Sequence, residues 1–101
     1  MNITLILTAL LASPPSFAEG HCGHEAGGYA LERFKATEAR APGDLFYVSP
    51  RLTSRPSRGD RSEAWSVEVG NTRNGQRVGS RTYDVRVDLI SCALLALWKL
   101  K

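Results

Sequence analysis

Two stretches of alternating apolar and polar residues, on either side of an Asn-Gly pair, constrain the fold of this chain more than any other feature. In Ala64–Val69 every second residue is Trp or Val, and in Tyr83–Leu89 the apolar positions alternate with Asp and Arg. Such alternation places the apolar side chains on one face of a strand. Asn74-Gly75 lies between the two stretches and is typical of a two-residue β-hairpin turn. The pattern therefore predicts two long antiparallel strands that share one apolar face.

The segments before this hairpin predict a helix and one shorter strand. Tyr29–Arg40 is rich in helix formers and predicts a helix that Pro42-Gly43 ends, although its aromatic start also allows a strand. Leu45–Val48 is a short aromatic and aliphatic run and predicts a strand that Pro50 stops. Residues 50–62 are rich in Pro, Ser, Arg and Gly and predict a loop.

The C-terminal segment is ambiguous because both of its faces are apolar. We expect the second long strand to continue to about Ala93, and residues 94–101 are left open between strand and helix. Residues 19–28 are rich in glycine and predict a flexible tail. Together these elements predict a mainly β (α+β) fold, in which a small antiparallel sheet and one N-terminal helix form a single domain over residues 29–101.

Residues 1–18 have the composition of a cleavable export signal. The mainly apolar residues 3–12 are followed by Pro14-Pro15, and Ser16-Phe17-Ala18 places small residues at the positions that a signal peptidase inspects. An apolar run of about ten residues is too short to span a membrane, which takes about 20. A retained N-terminal anchor and a buried first strand are the alternatives. Cleavage after Ala18 predicts an exported protein, periplasmic, at the cell surface or secreted, with no stable transmembrane span.

Two cysteines, Cys22 and Cys92, lie near opposite ends of the predicted mature chain. In an oxidising compartment they could pair and close a loop of about 70 residues. Two free thiols are the alternative. Because so short a chain buries only a small core, a covalent link between its ends would help to stabilise it.

The order of elements from Leu45 to about Ala93 resembles that of a known family. An aromatic strand, Leu45–Pro50, precedes an Arg/Gly loop; a Trp-centred strand, Ala64–Val69, precedes a turn and a last strand that runs from Tyr83 to Cys92. This order is similar to that of the surface-adhesin protein E-like family of small exported bacterial proteins. The resemblance implies an antiparallel sheet, a surface or periplasmic location and, in some members, binding of host matrix proteins. It implies no catalytic residue.

Cleavage after Ala18 would create a candidate metal site at the new N-terminus. The free amine of Glu19, two backbone amides and the imidazole of His21 would supply four nitrogens in one plane, which is the geometry that Cu(II) and Ni(II) prefer. Cys22 and His24 could add a softer site for Cu(I) or Zn(II). An unstructured tail with accidental histidines is the alternative. No other cofactor is expected.

The second candidate site is a cluster of arginines in the predicted loop. Four of the ten arginines fall within eleven residues, at Arg51, Arg55, Arg58 and Arg61. Together with the hairpin turn at Asn71–Gln76, which we expect to be adjacent, they could bind a protein or an acidic glycan. A solvated loop without a partner is the alternative. No aromatic residue lies between these arginines, so nucleic acid is not an expected partner.

The remaining residues give no sign of an enzyme. Trp65 and Trp98 fall on apolar strands and predict core positions. The sequence offers no convincing Ser-His-Asp, Cys-His or paired-carboxylate arrangement. We therefore expect a small exported binding or structural protein without enzymatic activity. The alternative is an exported copper- or nickel-binding protein.

Overall fold

A computed structural model describes residues 21–54 and 61–100 of the chain. Within these residues helix α1 (Gly23–Thr37) comes first, and four strands follow it: β1 (Leu45–Ser54), β2 (Ser62–Arg73), β3 (Gln76–Asp88) and β4 (Leu94–Lys99). The strands form one antiparallel sheet in the order β1-β2-β3-β4. For the described residues the predicted fold class, mainly β with one helix before the sheet, is confirmed. The predicted export signal lies outside the described residues.

The central hairpin forms where the sequence predicts it. Asn74 and Gly75 both have positive φ values, 54° and 80°, as a two-residue turn between twisted strands requires. The predicted apolar positions of β2 and β3 are all buried, and they form most of the core: Trp65, Val67, Val69, Tyr83, Val85 and Val87. Leu89 lies beyond the end of β3, in the turn that follows.

Helix α1 packs across the apolar face of β2 and β3. Its buried residues, Ala26, Gly27, Ala30 and Phe34, recur at helical spacing and turn one face towards the sheet. The helix begins six residues earlier than predicted, so the expected flexible tail is wrong for residues 23–28. Packing explains the difference, because these glycines bring the helix close to the sheet: a Cβ on Gly23 would lie 2.8 Å from the Trp65 ring. Tertiary contact here outweighs the low helix propensity of glycine.

The two edge strands also differ from the predictions. Strand β1 does not stop at Pro50 but continues to Ser54, since an edge strand can accommodate a residue without an N–H group. Strand β3 ends at Asp88 rather than at about Ala93, and residues 94–99 form a separate fourth strand. Cys92, in the connection, has a positive φ of 60°, which interrupts extended backbone. Trp98 is 45% exposed on β4, so the prediction of a core position is wrong, whereas Trp65 is buried as predicted.

Candidate functional site

A disulfide joins the start of the helix to the connection between β3 and β4. Cys22 and Cys92 are bonded, their Cα atoms lie 5.4 Å apart, and both residues are buried. The predicted pairing is therefore confirmed. The hydroxyl of Tyr29 donates to the carbonyl oxygen of Cys92 at 2.8 Å, which ties a second point of the helix to the same connection.

The carboxylate of Glu63 lies fully buried beside this disulfide. It accepts hydrogen bonds from the indole Nε1 of Trp65 at 2.9 Å and from the backbone N–H groups of His21 and Cys22 at 3.2 and 3.3 Å. A buried carboxylate is costly unless several donors surround it, and here three do. The sequence did not point to Glu63, because a single glutamate at the start of a strand usually faces solvent. Its role in this geometry is to fasten the segment before the helix to β2.

The residues of the predicted metal site take different positions. Glu19 lies outside the described residues, and His24 is exposed on the first turn of α1. Among the described residues, ligand atoms of His21, Cys22 and Cys92 lie within 4.8 Å of one another. Metal binding by cysteine needs a thiolate, and the disulfide leaves none at Cys22, so Cys22 does not serve as the expected ligand in this state. The planar site at Glu19 and His21 stays a prediction.

A second buried carboxylate fastens the connection between α1 and β1. Arg73 donates from Nε and Nη2 to the two oxygens of Asp44, at 2.8 and 2.9 Å, and Asn71 and the backbone N–H of Ala41 also donate at 2.9 Å. The Arg73 guanidinium first, and then the Ala41 N–H, hold the pKa of Asp44 well below its ordinary value. Asn71 is fully buried, and this part of the expected hairpin surface therefore has a structural role.

On the face of the sheet opposite the helix, β1, β2 and β3 carry mainly polar side chains, and Trp98 of β4 faces Asp84 on the same side. No described helix or strand covers this face as a second layer. On this face Arg51 lies in a shallow depression of about 260 Å³ that it lines with Ser49, Ser66, Glu68 and Thr82. The Tyr47 hydroxyl donates to Glu68 Oε2 at 3.0 Å, and the Arg77 guanidinium lies over the Tyr47 ring at 5.0 Å. Burial of Tyr47 first, and its bond to Glu68 second, raise the pKa of its hydroxyl. We call the space lined by Ser49, Arg51, Ser66, Glu68 and Thr82 the Arg51 depression.

The arginines and the hairpin turn of the predicted binding surface lie in different parts of the structure. Arg51 is exposed on β1, and Arg61 is exposed just before β2, with its Nη2 atom 4.0 Å from Asp88 Oδ1. Arg55 and Arg58 lie outside the described residues. The hairpin turn after Arg73 lies at the other end of β2, which spans about 36 Å at roughly 3.3 Å per residue. The expectation that this turn is adjacent to the arginine loop is therefore wrong.

An apolar groove of about 400 Å³ runs between the first half of the helix and β1. It is lined by Gly23, His24, Gly27, Gly28, Leu31, Val48 and Pro50. The groove arises because glycines on the helix leave no side chains above Val48, where a Cβ on Gly27 would come within 2.9 Å of Cγ1. The glycines are visible in the sequence, but the strand that they face is not.

Comparison of the chain with protein-family models, with curated proteins and with solved structures finds no match. In the part of the chain that the structure describes, no helix is long and apolar enough to cross a membrane. The described part of the chain is a disulfide-linked antiparallel sheet with a helix on one face and a mainly polar surface on the other.

Proposed function

We propose that this protein is an exported, non-enzymatic binding module that recognises an acidic glycan through the Arg51 depression. The observation that carries the proposal is an exposed arginine among hydroxyl side chains on an open sheet face. Export is supported by the composition of residues 1–18 and is compatible with the buried disulfide, since disulfides persist in oxidising compartments.

The chemistry of the Arg51 depression fits a sugar that carries a carboxylate or a sulfate. The planar guanidinium of Arg51 can donate to two oxygens of such a group. Ser49, Ser66 and Thr82 offer hydroxyls that both donate and accept, and the carboxylate of Glu68 accepts from sugar hydroxyls. Tyr47 holds Glu68 in place from the side, so the acceptor is oriented before a ligand arrives.

Arginines at the same end of this face would extend the binding surface. Arg86 pairs with Ala64 on the neighbouring strand and donates from Nη1 to the Ser62 hydroxyl at 3.0 Å. Arg61 is 72% exposed close by. The net charge of the whole chain is only +3, so binding would depend on this local arrangement more than on overall attraction.

The proposal predicts that Arg51→Ala weakens binding to heparin, used as a sulfated-glycan probe, by about tenfold. Loss of one charge-assisted hydrogen bond, worth about 1.5 kcal/mol, accounts for that factor. Binding would be measured by isothermal titration calorimetry at near-physiological salt. Ser66→Leu should weaken binding as well, because it fills the Arg51 depression without changing any charge.

Arg40→Ala is the matched control, since it removes the same charge from an exposed residue in the connection before β1. We expect heparin affinity to stay within about twofold of the original protein, because Arg40 lies away from the depression. If Arg40→Ala and Arg51→Ala weaken heparin binding equally, the interaction is general charge attraction and does not depend on the position of Arg51. If Ser66→Leu binds heparin as tightly as the original protein, the Arg51 depression is not the binding site.

A further inference from the structure

Strand β4 gives the sheet an apolar edge. Leu94, Leu95 and Trp98 on this strand are 42%, 53% and 45% exposed, and Leu100, which follows it, is 39% exposed. No described residue pairs with the outer side of this strand. An edge strand with apolar side chains and open backbone groups readily pairs with another strand.

The opposite edge of the sheet exposes one large apolar residue, Leu45 at its first position, and is interrupted further along. Strand β1 carries Pro50, which has no N–H to donate, and exposed Ser49 and Arg51 on either side of it. Proline and charged residues on an edge strand discourage pairing with a further strand. The two edges therefore differ, and pairing with a further strand is more favourable at β4 than at β1. A contact restricted to one edge closes after two copies rather than growing into a fibre.

The hydrogen-bond register shows which backbone groups of β4 point outwards. The N–H of Leu100 donates to the carbonyl of Thr82 at 2.8 Å, and Tyr83 faces Lys99 in the next position of the register. In an antiparallel pair, hydrogen-bonded and non-hydrogen-bonded positions alternate. Leu97 and Lys99 therefore point their N–H and C=O groups away from β3.

We propose that β4 pairs antiparallel with β4 of a second copy of this chain, with Trp98 on the twofold axis. In this register Leu97 of one copy faces Lys99 of the other, and these residues exchange the backbone hydrogen bonds. Trp98 then faces its own equivalent in a non-hydrogen-bonded pair, where Cα atoms approach to about 4.5 Å and side chains are closest. Ala96 faces Leu100 of the second copy.

The proposed register keeps the charged residue of β4 away from its equivalent in the second copy. Lys99 is the single charged residue of the strand, and its Nζ lies 3.4 Å from Glu38 Oε2 within the same copy. Glu38 also pairs with Arg81 at 3.3 Å, so one carboxylate is shared by two cations. In the proposed register Lys99 faces the apolar Leu97 of the second copy, so no two lysines stand directly opposite each other. The edge therefore presents apolar side chains and backbone groups that its own twofold image can satisfy, without an opposing cluster of like charges.

Sedimentation equilibrium of the disulfide-bonded protein tests this proposal over a series from about 1 µM to about 1 mM, the range of weak interfaces. We expect a monomer–dimer equilibrium that Trp98→Lys weakens at least about tenfold, since two lysines would face each other on the axis. Stacking of the paired Trp98 rings should also add an exciton couplet to the far-ultraviolet circular dichroism, and its amplitude should rise with protein concentration.

Leu45→Lys is the matched control, because Leu45 is a 71% exposed apolar residue on the other edge strand. The monomer–dimer dissociation constant of Leu45→Lys should equal that of the original protein. A monomer across the whole series would overturn the proposal, and so would equal weakening by Leu45→Lys and Trp98→Lys. Loss of the native circular dichroism in Trp98→Lys would invalidate that variant alone, and the concentration-dependent couplet of the original protein would then decide the question.

Discussion

At the scale of single residues, two buried carboxylates hold the connections of this small domain. Glu63 fastens the residues before the helix to β2, and Asp44 fastens the residues after the helix to the far end of the same strand. Each accepts at least three hydrogen bonds, which offsets the cost of removing a charge from water. The helix is therefore anchored at both of its ends by one carboxylate each.

The Asp44 cluster predicts a loss of stability in acid. The pKa of Asp44 lies below its ordinary value of 3.8 because Arg73 donates to the folded carboxylate. As the pH falls below about 4, the unfolded chain takes up this proton first, so the free energy of unfolding decreases. Arg73→Ala should lower the thermal midpoint at neutral pH and flatten its decline between about pH 4 and pH 2.

Differential scanning calorimetry between about pH 2 and pH 4 measures how steeply the thermal midpoint falls with pH, and Arg77→Ala is the control. Arg77 is an exposed arginine of the same hairpin whose guanidinium lies over the Tyr47 ring instead of contacting Asp44. The thermal midpoint of Arg77→Ala should fall with pH as steeply as that of the original protein. Parallel curves for Arg73→Ala and the original protein would show that Asp44 does not contribute to the acid response. Asp88 has a pKa lowered by the Ser91 N–H, and its contribution remains in all variants.

At the scale of elements, two adjacent glycines in α1 should respond to alanine in opposite ways. A Cβ at Gly28 meets nothing within 4 Å, so Gly28→Ala should stabilise the helix by about 0.5–1 kcal/mol. A Cβ at Gly27 would press on Val48 at 2.9 Å, so Gly27→Ala should destabilise the fold by roughly 1–3 kcal/mol.

Urea unfolding followed by circular dichroism measures both changes, and each variant serves as the control for the other. Helix propensity alone would make the two substitutions equally favourable. Opposite signs would therefore confirm that contact between Gly27 and β1 sets the position of the helix. Similar stabilisation by both would show that the helix can move away from the sheet without loss.

The same contacts explain how much of the structure could be predicted from the sequence. The alternation around Asn74-Gly75 is local, and it correctly predicted the central hairpin and its buried face. The start of the helix depends on residues far along the chain, since Gly23 lies against Trp65, and no local pattern shows that contact. The start of β4 likewise depends on the turn that Asp88 holds by accepting from the N–H groups of Ile90 and Ser91.

The candidate site was predictable only in part for a similar reason. The cluster of arginines in the sequence points to Arg51, but the neighbours of Arg51 in the depression come from three strands. These residues lie close together because of the register of the sheet, and no local sequence pattern predicts that register. The distance between the arginine loop and the hairpin turn follows from the same register, because the two lie at opposite ends of β2.

At the scale of the whole molecule, the disulfide closes most of the folded chain into a loop. Cys22 and Cys92 are separated by 70 positions, and β1, β2 and β3 all lie between them. Replacing both cysteines with alanine should lower the free energy of unfolding by about 4 kcal/mol, because the unfolded chain regains the freedom that the loop removed. Guanidinium unfolding measures this difference.

Reduction of the original protein with a phosphine provides the matched comparison. It should reproduce the loss seen in the double variant, and the variant itself should be insensitive to the reductant. A loss below about 1 kcal/mol would show that hydrogen bonds such as that from Tyr29 to Cys92 hold the connection without the covalent bond.

The covalent link between the two ends of the domain also determines how it carries tension. Force applied to the chain before Cys22 and after Cys92 passes directly between the two sulfurs, and the residues enclosed between them bear none of it. Pulling can peel β4 away from β3, but it cannot lengthen the enclosed loop. The enclosed part of the domain would therefore behave as a nearly inextensible link, and its polar sheet face would keep its shape under load for as long as the sulfurs stay joined.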